Sequence, residues 1–394
     1  MSESNLDKKL RGASSRESLV YVLDLAKKQG YIKSLIKDYK CGRPGYKDKC
    51  QFKAPCLIVF ADDTKWVLFT TTSIRERVKT QYWEAQNFKE LDSSIKKAYL
   101  VYPDSIPEKE RKTAVAKNEK IQSKGEYSTL EGIVSQDELS NLIEAYALKG
   151  KSQGQILDAK GNSFESRVAS ILKNSLNLKK WKTNNELLEG VHYGIFCSVV
   201  NCLKLNNETV NSIDATSDKT IIGLLPTGGP VKTDVLVTVT ENNGTKKYYT
   251  ISCKRSSENS VSVHQYSADT FADVLDKDNA ELRKLLNLFQ KKGNRRDMGD
   301  DNIARLTELL KPLNKKLAFW ALGGVGGAGN PETQWANYIL TYDNNDSSVS
   351  MHTLSDYYDL LIANNVKGMF GTLFSWTYQG RRGTNIQLKC KIIK

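Results

Sequence analysis

The stretch "GGPVKTDVLVTVTENNGTKKYYTISCKRSS", residues 228–257, reads as a β-hairpin. Asp234 stands at the head of its first strand and Lys254 near the end of its second. Side chains alternate between the two faces of a strand, so Ser252 and Lys254 point the same way. The two strand ends can therefore bring a carboxylate, a hydroxyl and an ammonium side by side.

That grouping suits one kind of chemistry. Phosphodiester hydrolysis needs an activated water, a carboxylate to hold a metal ion and a cation to steady the growing negative charge. Here Asp234 is the candidate metal ligand and Lys254 the candidate cation. The backbone carbonyl of Cys253 is a further candidate ligand, because hard cations accept carbonyl oxygen. A second acid would come from the helix before the sheet, where Glu165 stands in "NSFESRV". The arrangement follows the PD-(D/E)xK nuclease pattern in degenerate form. Val231-Lys232-Thr233-Asp234 lacks the proline, and Ser252 stands where an acid is usual.

The rest of the chain fits an intracellular, two-domain protein with a polyanionic partner. Its 394 residues exceed one ordinary core. With 39% apolar and 26% charged residues it reads as soluble and globular. No run is apolar enough to span a bilayer, and "MSESNLDKKLRGASSRESL" lacks the apolar core of a signal peptide, so a cytoplasmic location is expected. There are 58 Lys and Arg against 45 Asp and Glu, a formal net charge of +13 spread through folded-looking segments rather than gathered in a tail. Seven cysteines occur without a CxxC pair, and the three histidines are scattered. A zinc site on Cys41, Cys50 and Cys56 would lack a fourth ligand, so reduced structural thiols are expected.

Along the chain, residues 14–39 read as a helix capped by Ser14 or Ser15. Two strands flank the turn at Asp62-Asp63-Thr64-Lys65, followed by a charged helix, a strand at "AYLVYPD" and a helix at "SQDELSNLIEAYALKG". "GKSQGQ" (150–155) has linker composition and sets the expected boundary between domains 1–150 and 151–394. "DDNIARLTELLKPLNKKLAFWAL" reads as a helix broken at Pro312 that runs into a strand. The C-terminus reads as a hairpin around Gly380-Arg381-Arg382-Gly383. "GGVGGAG" (323–329) matches the dinucleotide fingerprint literally but lacks a following long helix, so it is read as a loop that moves when DNA enters. The N-terminal hairpin echoes the later one, with Pro55 and Thr71 at the places of the acid and the lysine. It suggests a nuclease-like fold without a metal site that serves DNA binding through "TTTSIRERVKTQYW"; a solvated helix face explains the same residues.

Several blocks resemble, in the same order, the MspI family of type II restriction endonucleases over roughly residues 160–394. They are "GGPVKTD", "ISCKRSSENSVSVHQYSADT", "RLTELLKP" and "FGTLFSWTYQG". The resemblance implies a restriction-endonuclease-like α/β (α+β) core, a central mixed sheet flanked by helices, joined to an N-terminal α/β domain. It implies Mg2+-dependent cleavage of double-stranded DNA at a short palindrome with a CCGG core, by a monomer or homodimer needing neither membrane nor nucleotide cofactor. Asp234 would hold the metal and Lys254 would be the catalytic cation, while Ser252 would take the place of a family asparagine, neutral like itself. Glu165 matches a helix glutamate of the family. Ser262, Thr377, Gln387 and Lys389 match base-contacting residues, and Arg381 and Arg382 on the turn would meet phosphates. Two other readings stay open: a mismatch or repair nuclease on the same fold, and a sequence-specific binding protein whose site no longer cuts.

Overall fold

The computed structural model describes residues 5–42, 51–103, 106–226, 229–256, 260–345, 347–378 and 383–393. It divides into two compact units. Unit 1 comprises residues 1–163 and 170–197, and unit 2 comprises 164–169 and 198–394.

Unit 1 runs α1 (Asn5–Lys28), β1 (Ser34–Gly42), β2 (Gln51–Val59), β3 (Lys65–Thr70), α2 (Ile74–Leu91), β4 (Ile95–Tyr102), α3 (Glu108–Lys124), β5 (Gly132–Ser135) and α4 (Gln136–Ala147). α5 (Gln153–Leu172), α6 (Ser175–Thr183) and α7 (Tyr193–Cys202) follow, with residues 164–169 of α5 and 198–202 of α7 assigned to unit 2. The five strands form one mixed sheet in the order β1-β2-β3-β4-β5. Alternation along the strands gives it two apolar faces. Leu57, Val59, Val67 and Phe69 pack under Ile74, Val78, Ala85 and Phe88 of α2. Cys56, Ile58, Trp66 and Leu68 pack under Leu19 and Leu23 of α1 and Leu139 and Ile143 of α4.

Several sequence expectations need correction here. The helix at 14–39 begins at Asn5, stops at Lys28 and gives way to β1. Ser14 and Ser15 are not caps: Ser15 Oγ meets Thr70 Oγ1 at 2.9 Å, and Ser14 Oγ accepts from the Glu189 N–H at 2.6 Å. The linker composition at 150–155 conceals a helix start. The Ser152 N–H donates to Gln155 Oε1 and the Gln155 N–H to Ser152 Oγ, a reciprocal capping pair that opens α5. α3 went unread because it is polar nearly all round, with only Ala114 buried.

Unit 2 contains β6 (Val210–Thr216), α8 (Lys219–Ile222), β7 (Val235–Glu241), β8 (Lys246–Ser256), β9 (Ser260–Tyr266), α9 (Ala268–Asp276), α10 (Ala280–Lys292), α11 (Asp300–Leu310) and α12 (Asn314–Gly323). β10 (Tyr338–Asp343), β11 (Val349–Thr353), α13 (Leu354–Ala363), β12 (Phe374–Tyr378) and β13 (Ile386–Lys391) complete it. A mixed sheet in the order β11-β10-β8-β7-β6 holds the hairpin of the opening stretch, and a three-stranded sheet β12-β13-β9 stands apart from it. One core joins Phe271, Phe289, Leu306, Trp320, Phe374, Trp376 and Leu388, tying the small sheet to the helices. This is the mixed sheet flanked by helices that the resemblance implies.

"LAFWAL" is the last part of α12 rather than a strand. A short segment apolar on every side has no periodicity to separate the two states. The glycine run at 323–329 accordingly follows a helix, capped by Gly324 at φ +79°, and leads into turns. The dinucleotide fingerprint needs a strand before it and a helix after it, so its context is absent on both sides.

Gly368 seats the small sheet. A Cβ there would lie 2.1 Å from the Phe374 carbonyl oxygen and 2.4 Å from its nitrogen, at the head of β12. Backbone cannot yield as a flexible side chain does. Gly368→Ala is expected to destabilise unit 2 by more than ~2 kcal/mol, read as a fall of about 5 °C or more in thermal unfolding. An unchanged Tm would contradict this packing.

Candidate active site

Asp234 lies one residue before β7, and its N–H donates to the Ile251 carbonyl of β8 at 2.9 Å. The ladder begins with Val235 opposite Ile251, so Asp234 faces the next residues of β8. Ser252 Oγ donates to Asp234 Oδ2 at 3.0 Å, the Cys253 N–H at 2.7 Å and Lys254 Nζ at 3.4 Å. Three donors from consecutive residues thus fix one carboxylate oxygen. Lys254 Nζ also lies 3.3 Å from the Cys253 carbonyl oxygen. Asp234 and Lys254 side chains are only 14% and 15% exposed, which keeps solvent screening of the pair low.

The other carboxylate oxygen, Oδ1, faces Lys219 Nζ at 4.0 Å. That lysine donates to Glu165 Oε2 at 3.2 Å. One ammonium therefore lies between two carboxylates, one from α5 and one from the head of β7. Lys219 escaped the sequence reading because nothing in "SDKTII" distinguishes it; Asp218 caps α8 there and so presents the lysine to the sheet. Burial raises the Glu165 carboxyl to about 7, with the Asp234 charge adding and Lys219 opposing. Burial also pushes the Cys253 thiol well above its usual range.

The donor set fits a hard divalent cation. Asp234 Oδ1 and Glu165 flank a point where the Lys219 ammonium already finds favourable charge, and the Cys253 carbonyl beside Lys254 is a further oxygen donor. Among the described residues no three His, Cys, Asp or Glu side chains gather to hold a metal, so the remaining coordination would come from backbone and water. Cys50, one of the three cysteines considered for zinc, lies outside the described residues.

Lys232, two residues before Asp234, is half-buried, and its Nζ donates to the Val263 carbonyl of β9. Burial, with Lys254 adding, lowers its ammonium to about 7. The carbonyl it reaches is at a β-bulge. Leu388 of β13 pairs with His264 and Lys389 with Ser262, which leaves Val263 over. The bulge resets the alternation, so Ser262 is exposed beside Lys389 while Val263 and His264 are both buried.

The small sheet brings the other expected residues together. Thr377 pairs with Gln387, and Lys389 pairs with Ser375 on one side and Ser262 on the other. Gln387 and Lys389 are two apart and share a face, away from buried Ile386, Leu388 and Cys390. Ser262, Thr377, Gln387 and Lys389 thus form one polar surface. Arg381 and Arg382 lie outside the described residues.

A family model described as "Restriction endonuclease MspI" matches residues 139–390. The chain belongs to the MspI restriction endonuclease family. It is accordingly a type II restriction endonuclease. It is 27% identical to the type II restriction enzyme BsuFI of Bacillus subtilis over 98% of both chains. It is 26% identical to the type II restriction enzyme MspI of Moraxella sp, covering 64% of this chain and 98% of that protein. The crystal structure of restriction endonuclease MspI in complex with its cognate DNA superposes with a TM-score of 0.53 at 23% identity, over 64% of this chain and 98% of that one, a likeness of fold.

The raised Glu165 carboxyl has a definite pH consequence. Between about 4.5 and about 7 the folded state keeps a proton that the unfolded chain has released. Its contribution to stability is complete below the lower value and is lost as pH rises through the upper one. In an isotope-labelled, metal-free sample, Glu165 is expected to titrate near 7, and higher in Lys219→Met, which removes an opposing charge. Titration in the ordinary carboxylate range, or a downward shift in the variant, would refute the arrangement.

Proposed function

We propose that the enzyme hydrolyses double-stranded DNA at a short palindrome with a CCGG core, using Mg2+ held by Asp234, Glu165 and the Cys253 carbonyl. The observation that carries the reading is the convergence of Ser252, the Cys253 N–H and Lys254 on Asp234, with Glu165 and Lys219 next to it. Mg2+ bound there would supply Lewis-acid charge and lower the pKa of water.

The chain's own residues do the rest. Ser252 and the Cys253 N–H orient the Asp234 carboxylate. Lys254 offsets negative charge on the scissile phosphate, and Glu165 gives up its proton to serve as the second carboxylate. Water attacks phosphorus in line, and the products carry 5′-phosphate and 3′-hydroxyl ends. Ser262, Thr377, Gln387 and Lys389 meet base edges, while Arg381 and Arg382 meet phosphates and position the protein without reading sequence. The polar surface that Ser262, Thr377, Gln387 and Lys389 share on the small sheet supports the base-contact assignment. The enzyme works on DNA in the cytoplasm; among the described residues no helix is long and apolar enough to cross a membrane.

Plasmid DNA incubated with Mg2+ is expected to give discrete fragments bounded by CCGG. Nicks confined to damaged or mispaired DNA would point to a repair enzyme, and a gel shift without cleavage to a binding protein. Asp234→Ala and Lys254→Ala are each expected to lower kcat by about 10³ or more while DNA still binds. Normal cutting by either variant overturns the assignment.

A further inference from the structure

Both units build their sheets on one plan. In unit 1, β1/β2 and β2/β3 are antiparallel and β3/β4 parallel. In unit 2, β6/β7 and β7/β8 are antiparallel and β8/β10 parallel. The register extends the likeness. The β2/β3 ladder opens with Cys56 opposite Leu68, as β7/β8 opens with Val235 opposite Ile251. Counting from those pairs, Pro55 stands where Asp234 stands, Phe69 where Ser252 stands and Thr71 where Lys254 stands. Pro55 carries no carboxylate, and Phe69 is sealed in the core. Unit 1 keeps the sheet plan of the cutting unit and none of its metal-holding groups.

What unit 1 offers instead is on α3. Lys109, Lys112, Thr113, Ala116, Lys117 and Lys120 line a shallow groove of about 650 Å³. At helical spacing they occupy one face, away from Ala114, the buried residue of the helix. The helix's acids, Glu108, Glu110 and Glu119, border that face, and Glu110 is turned to the N–H of Ile74 at 2.7 Å, capping α2. Lys117 lies over the Tyr127 ring at 5.2 Å, and Lys120 comes no closer than 3.9 Å to Glu126. Among the described residues no carboxylate pairs with Lys109 or Lys112. The row from Lys109 to Lys120 is about 16 Å long, from a rise of about 1.5 Å per residue. One DNA strand presents a phosphate about every 3.4 Å of axis, so the row faces about five. The short side chains of Thr113 and Ala116 leave its middle open to a backbone.

We infer that the lysine face of α3 is a second DNA-docking surface, on a nuclease-like unit that has no cutting site, and that it takes duplex phosphates without reading sequence. The inference rests on the reading of the chain as an enzyme of duplex DNA, and its test does not depend on cleavage. Binding of the full chain to duplex DNA is measured against salt without divalent metal. For Lys109→Gln, Lys112→Gln and Lys120→Gln combined, the slope of log K against log salt is expected to become shallower by about 3, since each neutralised phosphate contributes about 0.9. The matching triple Arg variant keeps the original slope, and thermal unfolding of both variants stays that of the parent because these side chains face solvent. A change below about 1, the worth of a single contact, overturns the inference. Plasmid digestion by the parent chain is scored separately. Absent cutting with a shifted slope sinks the proposed function alone; cutting with an unshifted slope sinks the docking surface alone.

Discussion

The site depends on how one carboxylate is held. Asp234 stands just outside its strand, and three consecutive residues of β8 aim donors at the same oxygen. A buried carboxylate left to rotate would cost free energy and have no fixed lone pair to offer. With Oδ2 occupied, Oδ1 has one direction left, toward Lys219 and Glu165. This explains how a serine can stand where the nuclease pattern usually has an acid. Ser252 donates to Asp234 and so orients its carboxylate. In the proposed mechanism the second negative charge comes from Glu165 of helix α5, whose carboxyl burial raises to about 7.

The same ribbon that holds the carboxylate continues into the small sheet. β8 ends at Ser256 and β9 begins at Ser260, so Lys254 and Ser262 belong to consecutive strands. At the bulge in β9 a carbonyl leaves the ladder, and Lys232 reaches it from the segment that carries Asp234. Burying an ammonium for one hydrogen bond is expensive, and its lowered pKa reflects that cost. The return is geometric. The position of Asp234 and the position of Ser262 are referred to one another by this partly buried contact. A shift of β9 on binding bases would be felt two residues from the proposed metal ligand.

Much of this was legible in order along the chain, because it lies in strands. Period-two alternation placed Ser252 and Lys254 on one face, whereas Gln387 and Lys389 were singled out only by the family resemblance. The antiparallel pairing of Thr377 with Gln387 follows from an obvious hairpin. Lys219 and Lys232 were not legible. Each acts through a contact with a distant element, and a lone lysine carries no local signature of the carbonyl or carboxylate it will meet. Two of the other differences share one cause. Ser14 and Ser15 look like caps but bond to neighbours in space, and Ser152 with Gln155 looks like a linker but caps a helix. Hydroxyls and amides serve local or distant partners equally well, and composition does not say which.

The two sheets show how little of a nuclease site the strand plan itself determines. β7 begins just after Asp234, so that side chain is free to fold across β8, which runs on to Ser256. In unit 1 the equivalent strand does not begin at that place. β2 extends back to Gln51 along β1, and Pro55 sits within it, while β3 stops at Thr70. There is no free strand head to carry an acid and no overhanging strand to supply donors. Restoring the site in unit 1 would therefore take more than replacing Pro55 and Thr71. The ladder would have to be shortened on one strand and lengthened on the other, and a buried carboxylate brought in from a helix, before any cation found three oxygens in reach.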